Sequence, residues 1–162
     1  MPSLQKPLRR ILLVGLNLRV SVSPPPESEP IHNCYAQQLM SELPPLNTDT
    51  IWAIIKEEID DDTVNKLVWH YLGYRYDQAA NQWDITEVAP EWQEEYPEPP
   101  NFIENRPPTV KLTRSIPKEN KQLLKEQLGF KGYKIGEFGP RQTRRATAAN
   151  WLLSYMKQSQ AN

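Results

Sequence analysis

The spacing of apolar residues predicts two helices in the second quarter of the chain. The segment from 47 to 60 places four isoleucines at helical spacing: Ile51, Ile54, Ile55 and Ile59. The next segment repeats the pattern with Val64, Leu67, Val68, Tyr71 and Leu72. Asn47 or Thr48 suits the N-cap of the first helix, Asp61 or Asp62 suits that of the second, and Gly73 can end the second. Because the junction between them is short, the helices should pack as a hairpin or corner.

A β-hairpin and a proline-rich segment are predicted next. Tyr74 and Tyr76 alternate with polar residues, and Trp83 and Ile85 resume the alternation after a polar DQAANQ break. Residues 87–108 are rich in proline and glutamate. Since proline lacks a backbone donor and disfavours strands, this segment is predicted to run extended along the domain surface, partly as polyproline helix.

The last third predicts strands alternating with helices. TVKLTRSI (109–116) and GYKIGEFG (132–139) have the alternation of strands, and between them PKENKQLLKEQLG predicts a helix ending at Gly129. The final helix has an apolar stripe: Ala148, Ala149, Leu152, Leu153 and Met156. The chain is therefore predicted to be a small single α+β domain over residues 44–158, with two N-terminal helices, a β-hairpin, a Pro-rich extended segment, then β-α-β-α.

Residues 1–43 do not continue this pattern. A basic start precedes an apolar run over residues 11–18, but Arg19 interrupts that run, no small-residue cleavage site follows, and the run is too short to cross a bilayer. Two origins stay open. The segment is a poorly ordered N-terminal tail, or it is a gene-start artefact and the true start is Met40.

The net charge of −1 conceals a strong asymmetry. Residues 1–108 hold 17 Asp and Glu against 8 Lys and Arg, whereas residues 109–162 hold 3 against 11. Such a division indicates a basic face for an anionic partner, or two halves that dock on each other. The single Cys34 excludes an internal disulfide framework and fits a reducing compartment.

Residues that could carry catalysis are few. His70 lies between two aromatic residues on a predicted helix, where an ordinary helical histidine is favoured over a general acid or base. The run Asp60–Asp62 fits a helix cap better than a Mg²⁺ site, because no convergent ligands are visible elsewhere. We therefore predict no catalytic residue, no metal and no cofactor, and the sequence favours a protein without enzymatic activity.

A basic cluster is the strongest functional signal. It comprises Lys131, Lys134, Arg141, Arg144 and Arg145. The three arginines share one face at the start of the final helix, where the helix dipole disfavours cations, so helix stability alone does not explain them. Three interpretations are open: an external anionic partner, internal pairing with the acidic 91–104 segment or the 60–62 run, or a solvated charged face. External partners would be an acidic protein surface or complex, or nucleic acid, with no membrane span.

A resemblance to a known family is carried by two blocks, DDTVNKLVWHYLGYRYD and FIENRPPTVKLTRSIPKENKQLLKEQLGFKGYKIGEFGPRQTRRATAANWLL. Over about residues 46–156 the chain resembles an uncharacterised domain-of-unknown-function family found in cyanobacteria and plant plastids. The resemblance implies a cytoplasmic location, which is the cyanobacterial cytosol, or the stroma for plant relatives. It implies no activity and no catalytic residues.

Together these features predict a non-catalytic binding protein, an accessory or assembly protein of a photosynthetic cell that contacts an anionic partner through a basic C-terminal face. Tyr133, Trp151 and Tyr155 are candidates for an aromatic part of that surface, with core packing favoured for Trp151. One alternative is an RNA- or DNA-binding protein. A second is a small enzyme or a binder of a phosphate-bearing ligand.

Overall fold

A computed structural model describes residues 43–136 and 139–162. In order, its elements are α1 (Thr48–Ile55), α2 (Asp61–Leu72), β1 (Arg75–Asp77), β2 (Gln82–Asp84), α3 (Pro90–Glu95), α4 (Arg106–Ser115), a 3₁₀ turn (Lys118–Asn120), α5 (Leu123–Leu128) and α6 (Pro140–Gln160). The predicted α+β class is confirmed, as are the two N-terminal helices and the hairpin. Residues 1–42 of the predicted tail lie outside the described residues.

The caps of α1 and α2 follow from local side-chain chemistry. Asn47 Oδ1 accepts a hydrogen bond from Thr50 N at 2.9 Å, so Asn47 is the N-cap of α1. For α2 the N-cap is Asp60, which accepts from Thr63 N at 2.8 Å. The prediction of Asp61 or Asp62 as cap is therefore wrong by one or two residues, and Asp61 lies in the first turn with its carboxylate available for other contacts.

Helix α6 is the element against which α1, α2, α4 and α5 all pack. Its inward face carries Ala148, Ala149, Leu152 and Leu153, each at most 3% exposed. The alanines let neighbouring backbones approach, and each buried leucine contributes about 1.5–3 kcal/mol relative to an exposed one. The predicted apolar stripe of the final helix is thus the centre of the core.

The predicted strand over residues 109–116 is wrong, because the segment forms helix α4. Prolines in the first turn provide a suitable helix start, since proline has no backbone donor to lose there. The buried Pro108, Leu112 and Ile116 are four residues apart, which is helical spacing. The alternation of Val110 and Leu112 was compatible with a strand, but the burial pattern of the folded chain selects the helix.

The predicted strand over residues 132–139 is not observed in the described part of that segment. Residues 132–136 form a loop, with Gly132 and Gly136 in the left-handed region at φ +96° and +88°. A strand would place Tyr133 and Ile135 on one face, yet Tyr133 is half-buried whereas Ile135 is 98% exposed. The two remaining apolar-face candidates, residues 137 and 138, lie outside the described residues.

The proline-rich segment is not a surface extension, which corrects the sequence prediction. Pro90 begins the short helix α3, and Trp92 of that helix is 3% exposed. Further along, Phe102 is fully buried. The indole of Trp69 donates from Nε1 to Pro100 O at 2.7 Å, which fixes the path of the chain between Trp92 and Phe102. The segment therefore forms one wall of the core.

The two-stranded sheet pairs Tyr76 with Trp83 in antiparallel register. The edge of Trp69 packs against Trp83 with ring centroids 5.8 Å apart, so the hairpin is attached to α2. Tyr74, which precedes the hairpin, is fully buried and donates from its hydroxyl to Tyr96 O at 2.8 Å. Burial raises the pKa of Tyr74 to about 12.

Among the described helices, none combines the length and apolar character that crossing a membrane requires.

Gly73 provides a test of this packing. Its φ is +105°, and a Cβ at this position would lie 2.5 Å from the backbone oxygen of Glu87. We expect Gly73→Ala to lower the free energy of unfolding by at least about 2 kcal/mol, because left-handed strain adds to the clash. Urea denaturation measures this change.

Gly129→Ala is the matched control, since Gly129 also has positive φ but no atom lies within 4 Å of an added Cβ. It should lose only about 1 kcal/mol. Equal losses in the two variants would contradict the close approach of Glu87 to Gly73.

Candidate functional site

The five predicted basic residues occupy two different settings. Lys131 and Lys134 lie in the loop between α5 and α6, and both are exposed. Arg141, Arg144 and Arg145 lie in the first two turns of α6, where exposure decreases in that order from exposed to half-buried to buried. The cluster that the sequence presents as one basic face is therefore divided by burial.

Arg145 is the largest fully buried side chain among the described residues, with 0% of its surface exposed. Its Nε and Nη2 atoms donate to Ile54 O at 3.1 and 2.9 Å. It also donates to Ile59 O and to the carboxylate of Asp61. Since Ile54 lies at the end of α1 and Asp61 in the first turn of α2, one guanidinium joins three helices.

Arg141 meets the same carboxylate from the solvent side. Its Nε donates to Asp61 Oδ2 at 2.6 Å and its Nη2 to Asp61 Oδ1 at 2.9 Å, in the bidentate geometry that arginine favours. A third nitrogen pairs with Glu57, just beyond the end of α1. The side chain of Arg141 is 47% exposed, so solvent screens these pairs more than it screens the buried contact of Arg145.

Asp61 is consequently the acceptor that two arginines share. Burial raises the pKa of this carboxyl, but the hydrogen bonds from Arg141 and Arg145 outweigh burial, and the net pKa is lowered. The internal interpretation of the arginine cluster is thus what the geometry shows for these two residues, with Asp61 as the partner within the 60–62 run. Their charge near the positive end of the α6 dipole is compensated by a carboxylate.

Arg144 contacts the chain before α4. Its Nη1 donates to Ile103 O at 3.0 Å and to Glu104 O at 2.9 Å. These acceptors are backbone carbonyls, so the positive charge of Arg144 is hydrogen-bonded without being neutralised by a carboxylate there. The side chain therefore fixes a loop and still contributes charge to the surface between α4 and α6.

That surface contains two adjoining cavities of about 480 and 640 Å³, which share Thr113, Thr143 and Thr147. We call them together the basic groove, defined by its charged lining residues Arg106, Lys121, Lys125, Lys131 and Arg144. Among the described residues, no carboxylate lines either cavity. The described part of the groove is thus a concave surface of one charge sign.

The loop that carries Lys131 and Lys134 is attached to α1 by aromatic packing. Phe130 lies edge-on to Trp52 with centroids 6.4 Å apart and to Tyr133 with centroids 5.2 Å apart. The hydroxyl of Tyr133 donates to Ile55 O at 3.2 Å. Tyr133, predicted as an aromatic part of the surface, therefore holds the loop from below while both lysines project to solvent.

The other aromatic candidates differ in exposure. Trp151 is 9% exposed and donates from Nε1 to Ser115 Oγ at 3.1 Å, so core packing describes it. Tyr155 is 37% exposed and stacks on Trp151 with centroids 5.9 Å apart.

Burial lowers the pKa of His70, which packs edge-on against Tyr71. In the part of the chain that the structure describes, no three His, Cys, Asp or Glu side chains converge as metal ligands.

Sequence reasoning missed three residues of the basic groove: Arg106, Lys121 and Lys125. The predicted strand over residues 109–116 gave no indication that Arg106 lies near α6, because a strand there gives no reason for Arg106 to approach α6. A helical assignment from the prolines onward would have placed the start of α4 and the start of α6 as candidate neighbours. The contribution of Lys121 and Lys125 depends on how α5 packs, which carries no local sequence signal.

Comparisons with known proteins agree with this fold. A family model described as a domain of unknown function (DUF1823) matches residues 45–157. A protein whose structure was solved by solution NMR is 57% identical, with a TM-score of 0.64, and the match covers 70% of this chain and 95% of that chain. No curated protein matches the chain.

Replacing Asp61 tests the shared carboxylate. We expect Asp61→Asn to lower the free energy of unfolding by about 2–3 kcal/mol, because the buried Arg145 loses its counter-charge. This is below the about 3–5 kcal/mol typical of fully buried pairs, since the Asp61 side chain is 30% exposed. Urea denaturation at neutral pH gives the value.

Asp62→Asn is the matched control, because Asp62 lies in the same first turn of α2 but is exposed. It should cost less than about 1 kcal/mol, the effect of one charge on a helix dipole. Equal losses for Asp61→Asn and Asp62→Asn would contradict the stabilising role of the arginine contacts.

The ion pair between Asp61 and Arg145 also predicts that the free energy of unfolding depends on pH. A carboxyl whose pKa is lower in the folded state than its ordinary value of 3.8 stabilises the fold above that value and loses this contribution as the pH falls through the folded pKa. The stability difference between the wild type and Asp61→Asn should therefore be constant above about pH 5 and shrink below about pH 4. Unfolding curves across this range measure it, and a difference that persists unchanged to about pH 2 would contradict it.

Proposed function

We propose that this chain, which belongs to the family described as a domain of unknown function (DUF1823), is a non-catalytic binding protein that contacts an acidic protein surface through its basic groove and Lys134. Its setting, proposed from the sequence resemblance alone, is a photosynthetic cell, in the cyanobacterial cytosol or the stroma of a plastid. There it acts as an accessory or assembly protein.

The observation that carries this proposal is the single charge sign of the basic groove. Arg141 and Arg145 are paired internally with Asp61, so they do not supply this field. Among the described residues, the charged side chains that line the groove are all basic and no carboxylate lines it. Concave surfaces of one sign concentrate their electrostatic potential and attract partners of the opposite sign.

The mixed lining of the groove favours a protein partner over nucleic acid. The lining also contains four apolar side chains, those of Val110, Ile116, Leu124 and Phe130. The hydroxyls of the three shared threonines add polar groups to it. Protein interfaces combine an apolar centre with a polar rim in this way. Single-strand binders instead use successive aromatic platforms, and Phe130 is the one aromatic side chain among the described lining residues.

Charge reversal in the groove tests the proposal. The immobilised full chain is exposed to a lysate of a photosynthetic cell at low and high salt, captured proteins are identified, and the affinity of each is measured with the purified partner. We expect Lys125→Glu combined with Lys131→Glu to weaken that affinity at least tenfold, equivalent to about 1.4 kcal/mol. High salt should weaken the wild-type interaction as well, because both surfaces are exposed to screening ions.

The matched control is Arg114→Glu combined with Lys118→Glu, which makes the same change in net charge at exposed residues that do not line the groove. It should leave the affinity within about twofold. Equal weakening by both double variants, or no acidic partner, would overturn the proposal. A salt-sensitive affinity for a mixed RNA and DNA pool, or for inorganic phosphate, lost only in the groove variant, would replace it with the corresponding alternative.

A further inference from the structure

A second groove, of opposite charge, lies between the β-hairpin and the chain that follows α3. Its volume is about 580 Å³, and its lining residues are Tyr76, Asn81, Gln82, Trp83, Glu95, Tyr96, Pro97 and Glu98. We call it the acidic aromatic groove, since it contains three aromatic rings and both charged residues of its described lining are glutamates. The proposed function of the basic groove makes no use of it.

The walls of the acidic aromatic groove are fixed by buried contacts. The buried Tyr74 donates from its hydroxyl to Tyr96 O at 2.8 Å, which fixes the segment after α3. Opposite it, Trp83 packs edge-on against Trp69 at 5.8 Å and against its cross-strand neighbour Tyr76 at 5.2 Å. The aromatic rings are therefore held in place without a ligand, which lowers the entropic cost of binding one.

The ammonium group of the protein's own Lys111 lies against aromatic rings beside this groove. Its contacts indicate what the groove can bind. Lys111 Nζ lies 5.1 Å from the ring centroid of Trp92 and 5.8 Å from that of Tyr96. The same nitrogen pairs with the carboxylate of Glu95. Aromatic faces combined with a carboxylate thus form a cation site here, through the attraction between a cation and the negative face of an aromatic ring.

The acidic aromatic groove shares Glu95 and Tyr96 with the Lys111 contact and has no basic residue among its described lining residues. Tyr76, Trp83 and Tyr96 supply rings, and Glu98 supplies a carboxylate in addition to Glu95. The hydrogen bond from Lys111 lowers the pKa of Glu95 despite the opposing effect of desolvation, so this carboxyl is ionised at neutral pH. The groove therefore combines aromatic rings with two carboxylates, of which Glu95 is already paired with Lys111.

We propose that the acidic aromatic groove is a binding site for an organic cation, an ammonium or guanidinium head group, held against the rings of Trp83 and Tyr96 and the carboxylate of Glu98. The two sources of this chemistry are a small organic ammonium ion and the side chain of a lysine or arginine in a partner. A bare metal ion is disfavoured, since the described residues provide no cluster of three metal-ligating side chains.

The test follows the backbone amide and indole N–H signals of the full chain by NMR during titration with tetramethylammonium chloride and, separately, with N-acetyl-arginine amide. A titration with sodium chloride at matched ionic strength is the control. We expect saturable shifts of the Trp83 indole and of the Tyr96 and Glu98 amides that exceed those caused by sodium chloride, with a dissociation constant in the millimolar range. Saturation by both probes, or by either alone, supports the site, and saturation by one probe alone identifies the source of the cation.

Glu98→Gln should weaken the affinity for the probe about threefold to fivefold, as expected for the loss of one exposed charge interaction. The matched control is Glu94→Gln, an exposed residue of α3 that does not line the groove, and it should leave the affinity unchanged. Neither substitution removes a core contact, so both variants are expected to fold. Shifts no larger than those with sodium chloride, or equal affinity in Glu98→Gln and the wild type, would overturn the proposal.

Discussion

The burial of the Arg145 guanidinium is the constraint on which the arrangement of three helices depends. A cation enters a protein interior at tolerable free energy only when acceptors and a counter-charge surround it. Here the acceptors are the carbonyls of Ile54 and Ile59 and the carboxylate of Asp61. Because they come from the end of α1, the connection and the start of α2, the guanidinium specifies how the N-terminal helices meet α6.

This constraint also separates the structural cations from those available for binding. Asp61 accepts hydrogen bonds from Arg141 and Arg145, whereas Lys121, Lys125, Lys131 and Arg144 line the basic groove. The negative charge of the first two thirds is divided in the same way, with Asp61 inside the fold and Glu98 at the acidic aromatic groove. The charge asymmetry of the sequence thus has in part an internal origin, since Arg141 and Arg145 pair with Asp61, while other charges lie on the surface.

Features that depend on local chemistry could be predicted from the sequence. The isoleucine spacing of α1, the asparagine cap, the end of α2 at Gly73 and the hairpin after it all agree with the structure. Residues 106–115 could not be predicted from alternation alone, because Val110 and Leu112 satisfy a strand and a helix equally well over a short span. Burial of Pro108, Leu112 and Ile116 against the rest of the core decides for the helix.

The sequence by itself determined the α+β class, the main helices and the concentration of positive charge after residue 108, since periodicity, capping and composition are local properties. Only the tertiary structure decided which cations are buried and which line a groove. Arg144 and Arg145 are adjacent in sequence, yet one faces the surface between α4 and α6 and the other the carboxylate at the start of α2. A helix turns about 100° per residue, so the elements packed around α6 give these neighbours different roles.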